Sequence, residues 1–178
     1  MIPLDRYVEQ AIPHEAGHIL VGRILGVPVS GLDHIVVRGP NNELLPGNFA
    51  TKTLSPDPAV VAFTPPSILE AYVCMTGGGL AGNIVSKVKA DEYGLERDRA
   101  DLAVVSTQPL EEAAQQARQI IEGYIDMFDN LRVAIRSRYT VLLKDKDTAA
   151  GRYTLLTSEQ LEQICPQNRK LFPASSYK

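Results

Sequence analysis

Cysteine is scarce in this chain of 178 residues. Cys74 and Cys165 are the only two, too few for a disulfide framework or a thiolate zinc site, and compatible with a reducing compartment. An excess of positive charge is missing as well. Lys and Arg number 18 against 21 Asp and Glu, a formal charge of −3, which gives no electrostatic reason for a nucleic-acid or anionic-membrane partner. Long hydrophobic runs are also absent. The longest uncharged stretch with helical character, residues 71–86, contains four glycines and falls short of the roughly 20 apolar residues of a membrane span. The first residues lack the basic-then-apolar pattern of a signal peptide. No G-x-x-x-x-G-K-[ST] occurs, so a P-loop ATP site is excluded at the motif level, and there is no internal repeat or low-complexity tract. These absences lead to the expectation of a soluble, cytoplasmic protein with no direct membrane anchor, no ATP site and no nucleic-acid partner.

What is present is the composition of an ordinary globular protein, 44% hydrophobic and 22% charged, at a length that suits one domain over residues 1–178. Residues 4–25 read as helical, with Ile12, Ile19, Leu20, Val21, Ile24 and Leu25 as an apolar stripe ended by Gly26 and Pro28. Pro13 either kinks that helix or starts a second one. Residues 34–38 and 48–53 are strand candidates for a wide hairpin, with turn formers from Gly39 to Gly47 between them. Residues 54–66 carry four prolines and read as a loop.

A second helix is expected from about Pro65 to Lys89, capped by Thr64. Gly77, Gly78, Gly79 and Gly82 inside it cost roughly 1 kcal/mol each against alanine, a cost that signals the close approach of another backbone. Asp98-x-x-Asp101 resembles a capping pattern that opens a third helix near Asp98 or Arg99. A longer helix follows from Pro109 to about Leu143, with a possible break near Asp129-Asn130. Thr157-Ser158-Glu159-Gln160 has the form of a capping box for a short helix, and the tail from Pro166 is expected to fray. The fold class read from this pattern is α+β, mostly helical with one small sheet.

Residues 14–18 read His14-Glu15-Ala16-Gly17-His18, an H-E-x-x-H. On a helix, positions four apart lie about 40° apart around the axis and one turn along it, so both imidazoles can reach one metal ion. Glu15 is rotated about 100° from His14, near enough to contact a water on that metal without being a ligand. Imidazole is a favoured zinc donor, zinc lowers the pKa of its water toward about 7, and a nearby carboxylate can take the proton. The motif uses two of the three histidines in the chain, and shuffling this composition produces it roughly once in 500 sequences.

A catalytic zinc needs a third protein ligand and an open position. No histidine follows His18 at the spacing of the longer H-E-x-x-H-x-x-G-x-x-H motif, and His34, at a strand edge, reads as an ordinary strand residue. The third ligand is therefore expected to be a carboxylate. Glu70, Asp91, Glu92, Glu96, Asp98 and Asp101 are candidates, and spacing alone does not choose among them.

The run His14-Glu15-Ala16-Gly17-His18-Ile19-Leu20-Val21, a small hairpin, Gly77-Gly78-Gly79-Leu80-Ala81 and then Arg99-Ala100-Asp101-Leu102 occur in that order. Together they resemble the peptidase domain of FtsH-type ATP-dependent zinc metalloproteases, over roughly residues 5–105. The resemblance implies a zincin-like peptidase domain, with a zinc-site region over 1–105, C-terminal helices over 106–165 and a tail over 166–178. It implies His14, His18 and Asp101 as zinc ligands and Glu15 as the general base. Two departures stand out: Pro13 occupies an ordinary helix position of the family, and Gly82-Asn83 replaces its paired glutamates. No ATPase motif accompanies the zinc motif in these residues.

The expected function is a zinc-dependent metalloendopeptidase acting on peptides or unfolded segments. The substrate would add along a strand edge at 48–53, and Tyr72 or Arg97 is a candidate for stabilising the oxyanion. A homo-oligomer or a separate ATPase partner is compatible with this reading. The alternative is a non-catalytic FtsH-like zinc-binding interaction module.

Overall fold

The computed structural model describes residues 4–53, 66–145 and 147–171. In chain order the elements are α1 (Leu4–Leu25), β1 (Val29–Arg38), β2 (Leu44–Thr53), α2 (Pro66–Val85), α3 (Glu92–Val105), α4 (Leu110–Gly123), α5 (Ile125–Lys144), β3 (Gly151–Leu156) and α6 (Ser158–Ile164). The class is α+β, with helix predominating and one antiparallel sheet ordered β2-β1-β3.

α1 is a single helix through Pro13. It packs along α2, and α2 packs in turn on α4. The four glycines of α2 lie inside the helix, and they are what lets it sit so close to its neighbours. A Cβ on Gly78 would stand 2.7 Å from the carbonyl oxygen of Gly17, one on Gly82 would run into the Pro13 carbonyl, and one on Gly77 would meet the backbone of Ala113 in α4. The helix-propensity cost of these residues is offset by backbone-to-backbone packing on two sides. With the helix extended to residue 66, the stretch Ser67–Val85 reaches the length and apolarity of a membrane span, but 61% of it is buried inside the fold. Its apolar character is accounted for by its place as a core helix.

The expected hairpin is present and longer than the sequence pattern indicated. β1 and β2 pair antiparallel with His34 opposite Phe49 and Leu32 opposite Thr51. Pro46 and Gly47, expected in the turn, lie within β2 beside an irregularity of register. A proline is tolerated there because β2 is at the sheet edge. The tight turn falls instead at residues 39–43, with Asn42 in the left-handed region (φ 66°). β3 completes the sheet on the other side of β1. It carried no clear strand pattern, since only Leu155 and Leu156 of its six residues are buried.

Three further expectations change. The third helix starts at Glu92, capped by Asp91, whose side chain accepts from the Gly94 N–H, so Asp98 lies inside the helix rather than at its start. The long helix after Pro109 divides at Tyr124, not at Asp129-Asn130, where Gly123 and the non-helical Tyr124 (φ −128°, ψ 38°) end α4. The chain after Pro166 is tied down as far as residue 171. Gln167 bonds to the Val27 carbonyl and the Val29 N–H, and Asn168 to the carbonyls of Ile24 and Arg23. The capping box at Thr157 and Gln160 is present. The proline-rich loop expected at 54–66 falls outside the described residues except for Pro66, as do the Thr64 cap and residues 172–178.

Candidate metal centre

α1 and α2 run antiparallel, and one row of each meets the other. Gln10, His14 and His18, spaced at i, i+4 and i+8, lie against Asn83, Gly79 and Met75 at the same spacing. Gly79 stands opposite both imidazoles: a Cβ there would lie 2.6 Å from His14 Nε2 and 2.7 Å from His18 Nε2. The missing side chain leaves the space into which both rings turn.

The third member comes from α3. Asp98 Oδ2 lies 3.2 Å from His14 Nε2 and Asp98 Oδ1 3.2 Å from His18 Nε2, while the two Nε2 atoms are 3.1 Å apart. All three side chains are buried, and their ligand atoms fall within 4.8 Å of one another. The carboxylate that joins the histidines is therefore Asp98, not the expected Asp101. With α3 beginning at residue 92, Leu95, Asp98 and Leu102 form its buried face, and Asp101 is turned out to the exposed wall of the adjoining cleft. Partial desolvation at the cleft wall and the nearby Asp98 charge raise the Asp101 carboxyl above its ordinary value. Of the other carboxylates considered, Asp91 caps α3, while Glu70, Glu92 and Glu96 are exposed.

The outer nitrogens determine what the centre can hold. His18 Nδ1 lies 2.8 Å from the Met75 carbonyl, which can only accept, so the proton is on Nδ1. Asn83 Nδ2 donates to the Gln10 carbonyl at 2.7 Å, which turns Asn83 Oδ1 toward His14 Nδ1 at 3.4 Å. With both Nδ1 atoms donating, each neutral ring presents a lone pair at Nε2. With both rings neutral, two nitrogen lone pairs and a carboxylate converge on one buried point, and Asp98 Oδ2 has no hydrogen-bond donor among the described residues. Such a point could hold a metal ion. Without metal a proton can serve: burial by itself pushes the His18 imidazolium down, but the Asp98 charge and hydrogen bond override it and raise its pKa to about 10. The same contacts hold the Asp98 carboxyl far below the ordinary carboxylate range, against the effect of burial. Two imidazoles and a carboxylate are also a donor set suited to zinc, and the cradle that Gly79 leaves open fits an ion between them.

No protein-family model, curated protein or solved structure matches the chain.

Glu15 stands beside the cluster and accepts a hydrogen bond from Thr51 Oγ1 at 2.5 Å. Both line a cleft of about 200 Å³ bounded by Phe49, Ala50, Thr51 and Thr53 of β2, by α2 and by α3. Drug-sized pockets run about 300–1,000 Å³, so the cleft admits a narrow segment rather than a bulky ligand. Tyr72 and Arg97 also line it. Burial raises the Tyr72 phenol to about 12, so it keeps its proton at neutral pH.

The remaining histidine, His34, is fully buried against Phe49 and Tyr139 and takes no part in the centre. Sequence reasoning missed two residues here. Asp98 was among six open candidates, and the apolar residues three before and four after it, Leu95 and Leu102, are the signal that places it on the inner face. Asn83 had no local signal in the sequence.

Proposed function

We propose that this protein is a zinc-dependent metallopeptidase, with His14, His18 and Asp98 holding the ion and Glu15 acting as general base. The observation that carries the reading is the convergence of His14 Nε2, His18 Nε2 and the Asp98 carboxylate on one buried point, next to an oriented glutamate. Zinc held by His14, His18 and Asp98 would supply a Lewis acid for the scissile carbonyl and for water. The chain's own groups do the rest. Glu15, oriented by the Thr51 hydroxyl, accepts a proton from the attacking water and passes it to the leaving amine. A substrate segment lies along β2, whose outer edge is paired with no other strand among the described residues and whose residues 49–51 and 53 border the cleft; backbone hydrogen bonds there would hold an extended peptide in register. Tyr72 and Arg97, which border the cleft, are candidate donors to the developing oxyanion.

The order of the zinc motif, hairpin and glycine run, similar to the peptidase domain of FtsH-type proteases, supports the same reading. The narrow cleft favours short peptides or unfolded segments over folded proteins. The test is cleavage of a peptide library by the zinc-loaded protein and by Glu15→Gln at equal zinc content. Cleavage lost in Glu15→Gln supports a peptidase. Equal zinc with no Glu15-dependent cleavage identifies a non-catalytic zinc module instead.

A further inference from the structure

The two imidazoles of the centre are held from behind in different ways. His18 is fixed by a backbone carbonyl, that of Met75, which no substitution removes. His14 is fixed by a side chain, Asn83, which is 1% exposed and reaches across from α2. We infer that Asn83 is a positioning residue of the metal centre: its amide oxygen holds the Nδ1–H of His14 and thereby commits Nε2 to the metal. The inference rests on the metal-centre reading and is independent of peptide hydrolysis.

Three contacts of Asn83 support it. Its Nδ2 donates to the Gln10 carbonyl at 2.7 Å, and this fixes which way round the amide lies. Its Oδ1 is then the only atom it can offer to His14 Nδ1, at 3.4 Å, and the same oxygen faces the Asp91 N–H at 3.4 Å. Gln10 and His14 are one turn apart on α1, so one amide grips the helix at two successive turns and orients the ring between them. Asp91 caps α3, and α3 carries Asp98, so Asn83 links the start of that helix to the ring Asp98 faces. Hydrogen-bond partners behind ligating histidines set the tautomer and ring orientation, and their loss commonly weakens metal binding about 10–100-fold. A neutral amide orients the ring as a carboxylate would, without adding negative charge behind it.

A bland alternative is that Asn83 only braces α1 against α2 through Gln10. Asn83→Asp separates the two roles, since aspartate keeps an acceptor for His14 Nδ1 but has no donor for the Gln10 carbonyl. Zinc affinity by chelator competition is expected to fall about 10–100-fold in Asn83→Ala and to stay within about threefold of wild type, or tighten, in Asn83→Asp, even where thermal unfolding shows both variants destabilised. Asn83→Ala within threefold of wild type, or Asn83→Asp as weak as Asn83→Ala, would overturn the positioning role. Should the variants fail to fold, the unmodified protein decides. In the ¹¹³Cd-loaded, ¹⁵N-histidine-labelled protein, the cadmium coupling of His14 is expected at Nε2, with a retained Nδ1–H. Coupling at Nδ1, or an Nδ1–H in rapid exchange with water, would overturn the inference. Wild type binding neither zinc nor cadmium would instead sink the metal centre itself, and this inference with it.

Discussion

Exchanging single carboxylates on α3 separates a metal ligand from a neighbour that merely lines the cleft. Asp98 and Asp101 are one turn apart, yet Asp98 is buried at 3.2 Å from both Nε2 atoms while Asp101 faces solvent. Asp98→Asn removes the only negative charge within the ligand set and leaves two neutral imidazoles. Loss of a partner behind a ligand costs about 10–100-fold in affinity, so loss of a ligand is expected to exceed about 100-fold, which is roughly 2.7 kcal/mol. Asp101→Asn removes an exposed charge screened by water and salt, and its effect is expected to stay within about threefold, roughly 0.7 kcal/mol. Chelator competition with zinc, on both variants at fixed pH and ionic strength, reads the difference. A larger loss in Asp101→Asn than in Asp98→Asn would refute the assignment and return the third position to Asp101, as the family resemblance implied.

Three further outcomes are expected. Gly79→Ala places a methyl within 2.7 Å of both Nε2 atoms and should abolish zinc binding while costing about 1–3 kcal/mol of apo stability by overpacking; tight zinc binding by this variant would contradict the cradle. His34, whose pKa burial lowers to about 4, binds fewer protons folded than unfolded between that value and about 6.5. The stability that goes with its neutral form is complete above pH 6.5 and lost as pH falls toward 4, amounting to about 2 kcal/mol by pH 5; urea titrations at pH 7 and 5 should show that loss in wild type in excess of His34→Phe. The guanidinium of Arg23, 1% exposed, is paired with Glu162 and bonded to the Val29 carbonyl at 2.8 Å. Glu162→Ala should therefore cost on the order of 2 kcal/mol in chemical denaturation, against less than about 1 kcal/mol for breaking the exposed Arg118–Glu122 pair.

What could be read in advance depended on how local the signal was. The H-E-x-x-H of α1, the glycine run of α2, the core of the hairpin and the capping box at Thr157 each state their structure within a few residues, and all four are present. The glycines even indicated their purpose, since four of them in one helix are hard to explain except by a second backbone close by. Spacing left the third carboxylate open among six, and the resemblance, through Arg99-Ala100-Asp101-Leu102, pointed to Asp101; the helix boundary that would have singled out Asp98 was itself misplaced. Asp98-x-x-Asp101 imitates a cap, and with the helix started there Asp98 becomes an end residue and loses its inward face. The actual cap is Asp91, bonded to the Gly94 N–H, and from that start Leu95, Asp98 and Leu102 share one face. Asn83 and β3 were illegible for a different reason: each is defined by a partner 69 or more positions away in sequence, as in the contact of Asn83 with His14, and no pattern along the chain announces such a partner. The break at Tyr124 was displaced because the apolar stripes of α4 and α5 run on in nearly the same phase.

The most direct test is to look for the ion. Zinc added to the purified protein and examined by X-ray absorption at the zinc edge, or by anomalous diffraction, is expected to show one site. Two imidazole nitrogens and a carboxylate oxygen should lie about 2.0–2.2 Å from the metal, those atoms being His14 Nε2, His18 Nε2 and an oxygen of Asp98. Zinc bound elsewhere, or no zinc bound with His14 and His18 intact, would contradict the metal centre on which the proposed chemistry depends.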